Sequence, residues 1–240
     1  MNEENRLIGV SWESKSVLNN LNVVSRLNLG FLFFSEIILA SLIVIGDYYV
    51  FDSLKVVVFM NEYTNISQRL IRALMDNSIH GLVGVLTWLV IAYPKVDLSE
   101  LIAAGVLASI IDIDHFISAK SIKLTDAISL PNRPFLHNSL TLFILNIFLF
   151  LIFQFINSDK RYKWSILIFI AWFSHHIRDA NRRGLWLGSF YTTKPIKDEW
   201  YLMIILLMPL FIRFFYQNEK NLIEFFDIKR NINNTRTHIV

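Results

Sequence analysis

Five of the six histidines, His80, His115, His137, His175 and His176, stand where apolar runs begin or end, and His238 lies near the C-terminus. In SHHIRDANRRG (Ser174–Gly184), His175 and Asp179 are four residues apart. On a helix that spacing is about one turn, so both side chains share a face. In IDIDHF, Asp112 and His115 are three apart and also share a face. An imidazole and a carboxylate on each of two facing helices is how helix bundles build metal sites. The donors are nitrogen and oxygen alone, because the chain has no cysteine. Such a set suits zinc, iron or manganese and excludes disulfides and thiolate sites. Each residue also has an ordinary reading. A histidine at a helix C-terminus complements the helix dipole, and His80 could bond between helices. Arg178 could pair with Asp179, Arg133 could anchor at headgroup level, and Glu36 reads as a buried partner for an arginine.

The elements that must position these residues are apolar. Of 240 residues, 54% are hydrophobic and 18% charged, with a mean hydropathy of +0.44. Soluble domains average about 45–50% apolar and about 25% charged. The apolar residues form runs near the roughly 20 needed to cross a bilayer. The expected fold is an all-α, polytopic membrane helix bundle with about six spans. They are Leu27–Ile45, Asn77–Tyr93, Leu98–Ser118, Leu136–Ile156, Trp164–Ile177 and Glu199–Tyr216. Ser67–Asp76 reads as a short amphipathic helix at the interface, and VVVF (Val56–Phe59) is too short to span. Pro94 closes the second span, and Pro209 is expected to kink the sixth.

The expected organisation is a polar segment over 1–26, a membrane domain over 27–216 and a polar, mobile tail over 217–240. The net charge of +3 sits in loops flanking apolar runs, which is weak ground for nucleic acid, and none is expected as a partner. Positive charge is nearly balanced between the two sides, so it does not set the orientation. Counting crossings places the ends that carry His80, Asp112–His115, His137 and His175–Asp179 on one side of the membrane. Ionisable groups at that depth are costly and by default carry a function.

RALMDNSIHGLVGVLTW, GVLASIIDIDHF, LPNRPFLHNS and SHHIRDANRRGLW closely resemble successive blocks of the transmembrane protein 267 family, over about Arg72 to Gly188. More distantly, the blocks are similar to the bacterial membrane-bound metal-dependent hydrolases. Those show an early His, then Pro-Asp-x-Asp-His, His-Arg-Gly-x-Thr-His-Ser and Ser-His-x-x-x-Asp. Here His80, then Asp112, Asp114 and His115, then Arg133 and His137, then Ser174, His175 and Asp179 match. Ile111 stands for the proline, Asn132 for the first His of the third block, Pro134 for its Gly and Leu136 for its Thr. The resemblance implies a divalent metal, zinc foremost, and phosphoester hydrolysis, with Asn132 leaving one ligand position unfilled.

Together these readings give an integral membrane protein with a metal site at one face, held by His80, Asp112, His115, His137, His175 and Asp179. Asp114 is expected to orient a water or bridge two metals, and Arg133 and Arg178 to hold a phosphate through their guanidinium forks. At headgroup level the expected partner is membrane lipid, and the substrate class a lipid phosphoester. The alternative is a non-enzymatic scaffold that keeps a structural metal or polar network. Ion transport is a third reading, with little beyond Glu36 and Gln154 to continue a path across the membrane.

Overall fold

A computed structural model describes residues 29–46, 65–155 and 161–237. The polar segment 1–26, the stretch Val56–Phe59 and His238 lie outside the described residues. The chain divides into two compact units, Met1–Ile38 and Leu39–Val240. Of the first, the described part is helical and opens α1 (Leu29–Gly46). The second holds α2 (Asn65–Ala92), α3 (Leu98–Ile110), α4 (Ile113–Ala119) and α5 (Leu124–Ala127). A 3-10 turn (Phe135–His137), α6 (Ser139–Phe155), α7 (Arg161–Arg183) and α8 (Asp198–Thr237) complete it. Two isolated bridges join Trp186 to Asn138 and to Thr192, and there is no strand among the described residues. The fold is an all-α bundle.

Four stretches are long and apolar enough to cross a membrane: Leu29–Gly46, Arg69–Ala92, Leu98–Ala119 and Asp198–Asn218. Ser139–Phe153 is apolar but shorter. Helix α7 has 23 residues, and its last turns are given over to polar side chains.

Three elements differ from the sequence reading in ways that build the site. The stretch Ser67–Asp76 is not a separate interfacial helix but the first turns of α2, which runs for 28 residues. No glycine or proline interrupts Ser67–His80, and Asp76 and Asn77 both face partners inside the bundle. The third span is broken at Ile111–Asp112. There the backbone tightens into i→i+3 bonds, Asp112 N to Ser109 O (3.3 Å), Asp114 N to Ile111 O (3.2 Å) and His115 N to Asp112 O (3.2 Å). The fourth helix starts at Ser139, so His137 sits on the preceding 3-10 turn. Pro209 lies inside α8, which continues to Thr237 through the polar stretch.

Helix α2 is central and packs on α3, α7 and α8. Two buried apolar clusters stack along it. One joins Leu39 and Ile43 of α1, Ile79 and Val83 of α2, Ile177 of α7 and Tyr201 and Ile205 of α8. The other joins Trp88 and Ile91 of α2, Ala104 of α3, Leu167 and Ile170 of α7 and Tyr216 of α8. Close approach of α2 and α3 depends on Gly84, where a Cβ would lie 2.7 Å from Ala108 Cβ and 2.9 Å from Ala104 O. Glycine interfaces of this kind let membrane helices approach closely. The end of the bundle away from the histidines is tied by polar bonds. Lys163 pairs with Glu100, which also accepts from Trp88 Nε1 (3.2 Å). Arg213 donates to Val90 O (2.7 Å) and Tyr93 O (2.6 Å) at the end of α2.

Candidate metal centre

At the other end, four elements deliver imidazoles and carboxylates to one point. Helix α2 brings Asp76 and His80, one turn apart, and the α3–α4 break brings Asp112, Asp114 and His115. The 3-10 turn brings His137, and α7 brings His175 and Asp179. All six ligands expected from the sequence, His80, Asp112, His115, His137, His175 and Asp179, fall in this cluster. His137 Nε2 lies 3.3 Å from Asp112 Oδ1 and 3.5 Å from Asp179 Oδ2. His175 Nε2 lies 3.8 Å from Asp112 Oδ1 and 4.0 Å from Asp179 Oδ2. His80 Nε2 is 3.5 Å from Asp179 Oδ1, and its ring stacks on that of His175 with centroids 3.7 Å apart. His115 Nε2 is 4.0 Å from Asp112 Oδ1. Four overlapping triads have donor atoms within 4.8 Å of one another: His80–Asp112–His175, Asp112–His115–His137, His137–His175–Asp179 and Asp76–His80–Asp179.

The outer contacts decide which ring nitrogen faces inward. A backbone carbonyl can only accept, so His175 Nδ1–H donates to Ala108 O (2.8 Å) and His115 Nδ1–H to Ala127 O (3.1 Å). His137 Nδ1–H faces Asp114 (3.3 Å). With Nδ1 so engaged, Nε2 of each neutral ring is a lone pair aimed at the centre. This is the support that orients metal-bound histidine. The Nε2 atoms of His137 and His175 are 3.4 Å apart, and two lone pairs at that distance require a cation or a proton between them. Without a metal a proton meets the demand. Burial works against charge on His137, yet hydrogen bonds to Asp112 and Asp114 raise its pKa to about 10. The donor set therefore fits a divalent metal.

Asp114 corrects one expectation. It is fully buried behind His137 and accepts from Leu136 N (2.6 Å) as well as from His137. It faces the Nδ1 side of His137 rather than the open side of the cluster. The two arginines assigned to phosphate are engaged elsewhere. Arg133 donates to Gly184 O (2.9 Å) and Arg183 O (2.5 Å), capping α7. That helix ends at Gly184, whose φ of +73° suits a residue without Cβ, since a Cβ would sit 2.0 Å from Thr193 O. Arg178 is buried and pairs with Asp76. Its expected partner Asp179 is held by Arg182 (2.6 Å), which also bonds Asp76 (2.9 Å). His176 sits beside the cluster and bonds Ser139 Oγ (3.0 Å), linking α7 to α6.

Asp76, Asn77 and Arg182 were missed. Asp76 stands one turn before His80, the same i,i+4 signal that marked His175–Asp179. Asn77, with its amide nitrogen facing inward, donates to Asp112 Oδ2 (3.3 Å). Above the cluster opens a cavity of about 360 Å³, bordered by Asp76, Asp112, His115, His137 and Asp179 and by Arg69, Arg72, Arg182 and Arg183.

An all-α bundle with apolar spans and a His/Asp centre at one end defines a polytopic membrane protein with a candidate metal site. The profile of the YdjM inner membrane protein family matches residues 75–226. The chain belongs to that family and is an integral membrane protein. It is also similar to transmembrane protein 267 of Mus musculus, 40% identical over 144 residues, and of Bos taurus, 42% identical over 144 residues. Each alignment covers 58% of this chain and 66% of the relative, so the match spans slightly less than two thirds of those relatives. The Danio rerio protein of the same name is 39% identical over 142 residues. No solved structure matches the chain.

Proposed function

We propose that the protein is a divalent-metal-dependent hydrolase acting on a lipid phosphoester at one membrane face. The observation that carries this reading is the convergence of His80, His137 and His175 Nε2 with Asp112 and Asp179, while the outer nitrogens of His137 and His175 are spent on oxygen acceptors. His80, Asp112, His115, His137, His175 and Asp179 would hold the metal, zinc foremost. A divalent metal held there would supply Lewis acidity and lower the pKa of a bound water towards neutrality. The protein's own groups do the rest. Asp114 holds the His137 ring, Ala108 O holds His175, Arg182 holds Asp179, and Asn77 holds Asp112. The cavity above admits a phosphoester beside the cluster, and its arginines offset the phosphate charge.

A non-enzymatic scaffold built on a structural metal or a polar network is the second reading. The internal engagement of Arg133 and Arg178 favours it. The test is elemental mass spectrometry on detergent-purified protein, wild type beside His175→Ala and Asp112→Asn, followed by a phospholipid-hydrolysis screen. Bound metal lost in both folded variants, together with metal-dependent turnover, supports the hydrolase. Metal without turnover leaves the scaffold, and well-folded wild type that takes up no metal refutes the hydrolase and makes the cluster the polar network of a scaffold.

A further inference from the structure

A second and larger cavity, about 690 Å³, lies along the outside of the bundle between α2 and α3. Its walls are apolar: Leu82 on one side, Val106 and Ile110 on the other, and Ile113 of α4 beyond. All four are among the large hydrophobic residues left exposed, and all lie in stretches apolar enough to cross a membrane. Gly81 and Gly105 also line it. From Val106 to Ile110, the last residue of α3, is four residues, about 6 Å of helix, and Asp112 follows in the break.

The groove is not isolated. Asn77, Asp112 and Phe116 line both it and the cavity above the metal centre. One end therefore reaches Asp112, and the rest runs along apolar side chains exposed on the outside of the bundle. A further apolar hollow, between α6, α7 and α8, borders none of the cluster residues. In the polar cavity Arg72 has Nε and one terminal nitrogen enclosed with no acceptor among the described residues. A guanidinium cannot shed its charge, and a buried unsatisfied donor is costly. An anion in that cavity satisfies it.

We infer that the two cavities form one bilayer-fed lipid site, in which the α2–α3 groove takes an acyl chain and Arg72 takes the anionic phosphate beside the His/Asp cluster. This rests on the lipid-phosphoester reading above. It assigns the substrate class as a membrane lipid with a phosphate at the end of its chains, received sideways from the bilayer rather than from water.

The test uses the full chain in phosphatidylcholine nanodiscs carrying a trace of phosphatidic acid with a photoactivatable acyl chain. A matching diacylglycerol probe reports on the headgroup. After illumination, labelling is mapped by peptide, and bound metal is measured on the same samples. Wild type should label within residues 77–116, more strongly with phosphatidic acid than with diacylglycerol. Val106→Trp, which fills the groove, should reduce that labelling about tenfold, equal to about 1.4 kcal/mol or roughly two buried methylenes. Leu82→Trp fills it from α2 and covers the case in which Val106→Trp does not fold. Leu207→Trp, on an exposed position of α8 away from the groove, should change nothing. Arg72→Gln should abolish the preference for phosphatidic acid. Unchanged labelling in both tryptophan variants, or a preference that survives Arg72→Gln, overturns the inference. So does a wild type that stays unlabelled because a second copy fills the groove, seen as a cross-linked dimer. Metal content separates the two readings: labelling as expected in protein that binds no metal retains the lipid site and refutes the hydrolase.

Discussion

Asp114→Asn tests the logic of the centre most directly, because Asp114 touches the cluster only through His137. Its carboxylate accepts from His137 Nδ1 (3.3 Å) and from Leu136 N (2.6 Å), and it is fully buried. The amide keeps the shape and one acceptor oxygen but removes the charge that favours proton retention at Nδ1 and basicity at Nε2. Losing such an outer partner costs about 10–100-fold in metal affinity, or about 1.4–2.8 kcal/mol. The backbone bond to Leu136 can persist, so the 3-10 turn should keep its place. The assay is a competitive zinc titration against a chromophoric chelator, in detergent, with Asp126→Asn as control, since Asp126 bonds Ser121 outside the cluster. The expected result is weaker binding at unchanged stoichiometry, with Asp126→Asn like wild type. Wild-type affinity in Asp114→Asn would refute the argument that outer contacts orient His137. A lost metal equivalent at saturation would mean that Asp114 is itself a ligand.

Metal binding should release protons. In the metal-free protein His137 keeps its proton up to a pKa of about 10, so metal must displace it at neutral pH. Affinity should then rise by about one log unit per pH unit between roughly pH 7 and 9. Calorimetry in buffers of different ionisation enthalpy checks this, and pH-independent binding would show that His137 is not a ligand. Gly84→Ala should destabilise the bundle, since the added Cβ meets Ala108 Cβ at 2.7 Å and Ala104 O at 2.9 Å. Overpacking of this kind costs about 1–3 kcal/mol, and thermal unfolding in detergent should show a lower midpoint. Because Ala108 O also holds His175, the same variant should bind metal more weakly than wild type at temperatures where it remains folded.

Much of this protein is determined by local sequence. Apolar runs near bilayer length dictate membrane helices, because backbone exposed to lipid must satisfy its own hydrogen bonds. The i,i+4 spacing of His175 and Asp179 puts both on one face of α7 whatever the fold does. Counting crossings places the ends of four apolar runs on one side, and those ends do meet. Other features depend on neighbours distant in sequence. Whether Asp112 or Asp114 faces the centre follows from the turn at Ile111, which points one carboxylate inward and the other behind His137. Arg178 chooses Asp76, 102 residues away, over adjacent Asp179, because helix packing sets which carboxylate meets a buried guanidinium. Arg133 caps α7 across 51 residues. Asp76, in a stretch that reads as an amphipathic surface helix, becomes part of the site only because α2 continues unbroken into the bundle. Spacing along one helix is a local property of its backbone, whereas the rotation of each helix about its axis is decided by the surfaces it packs against.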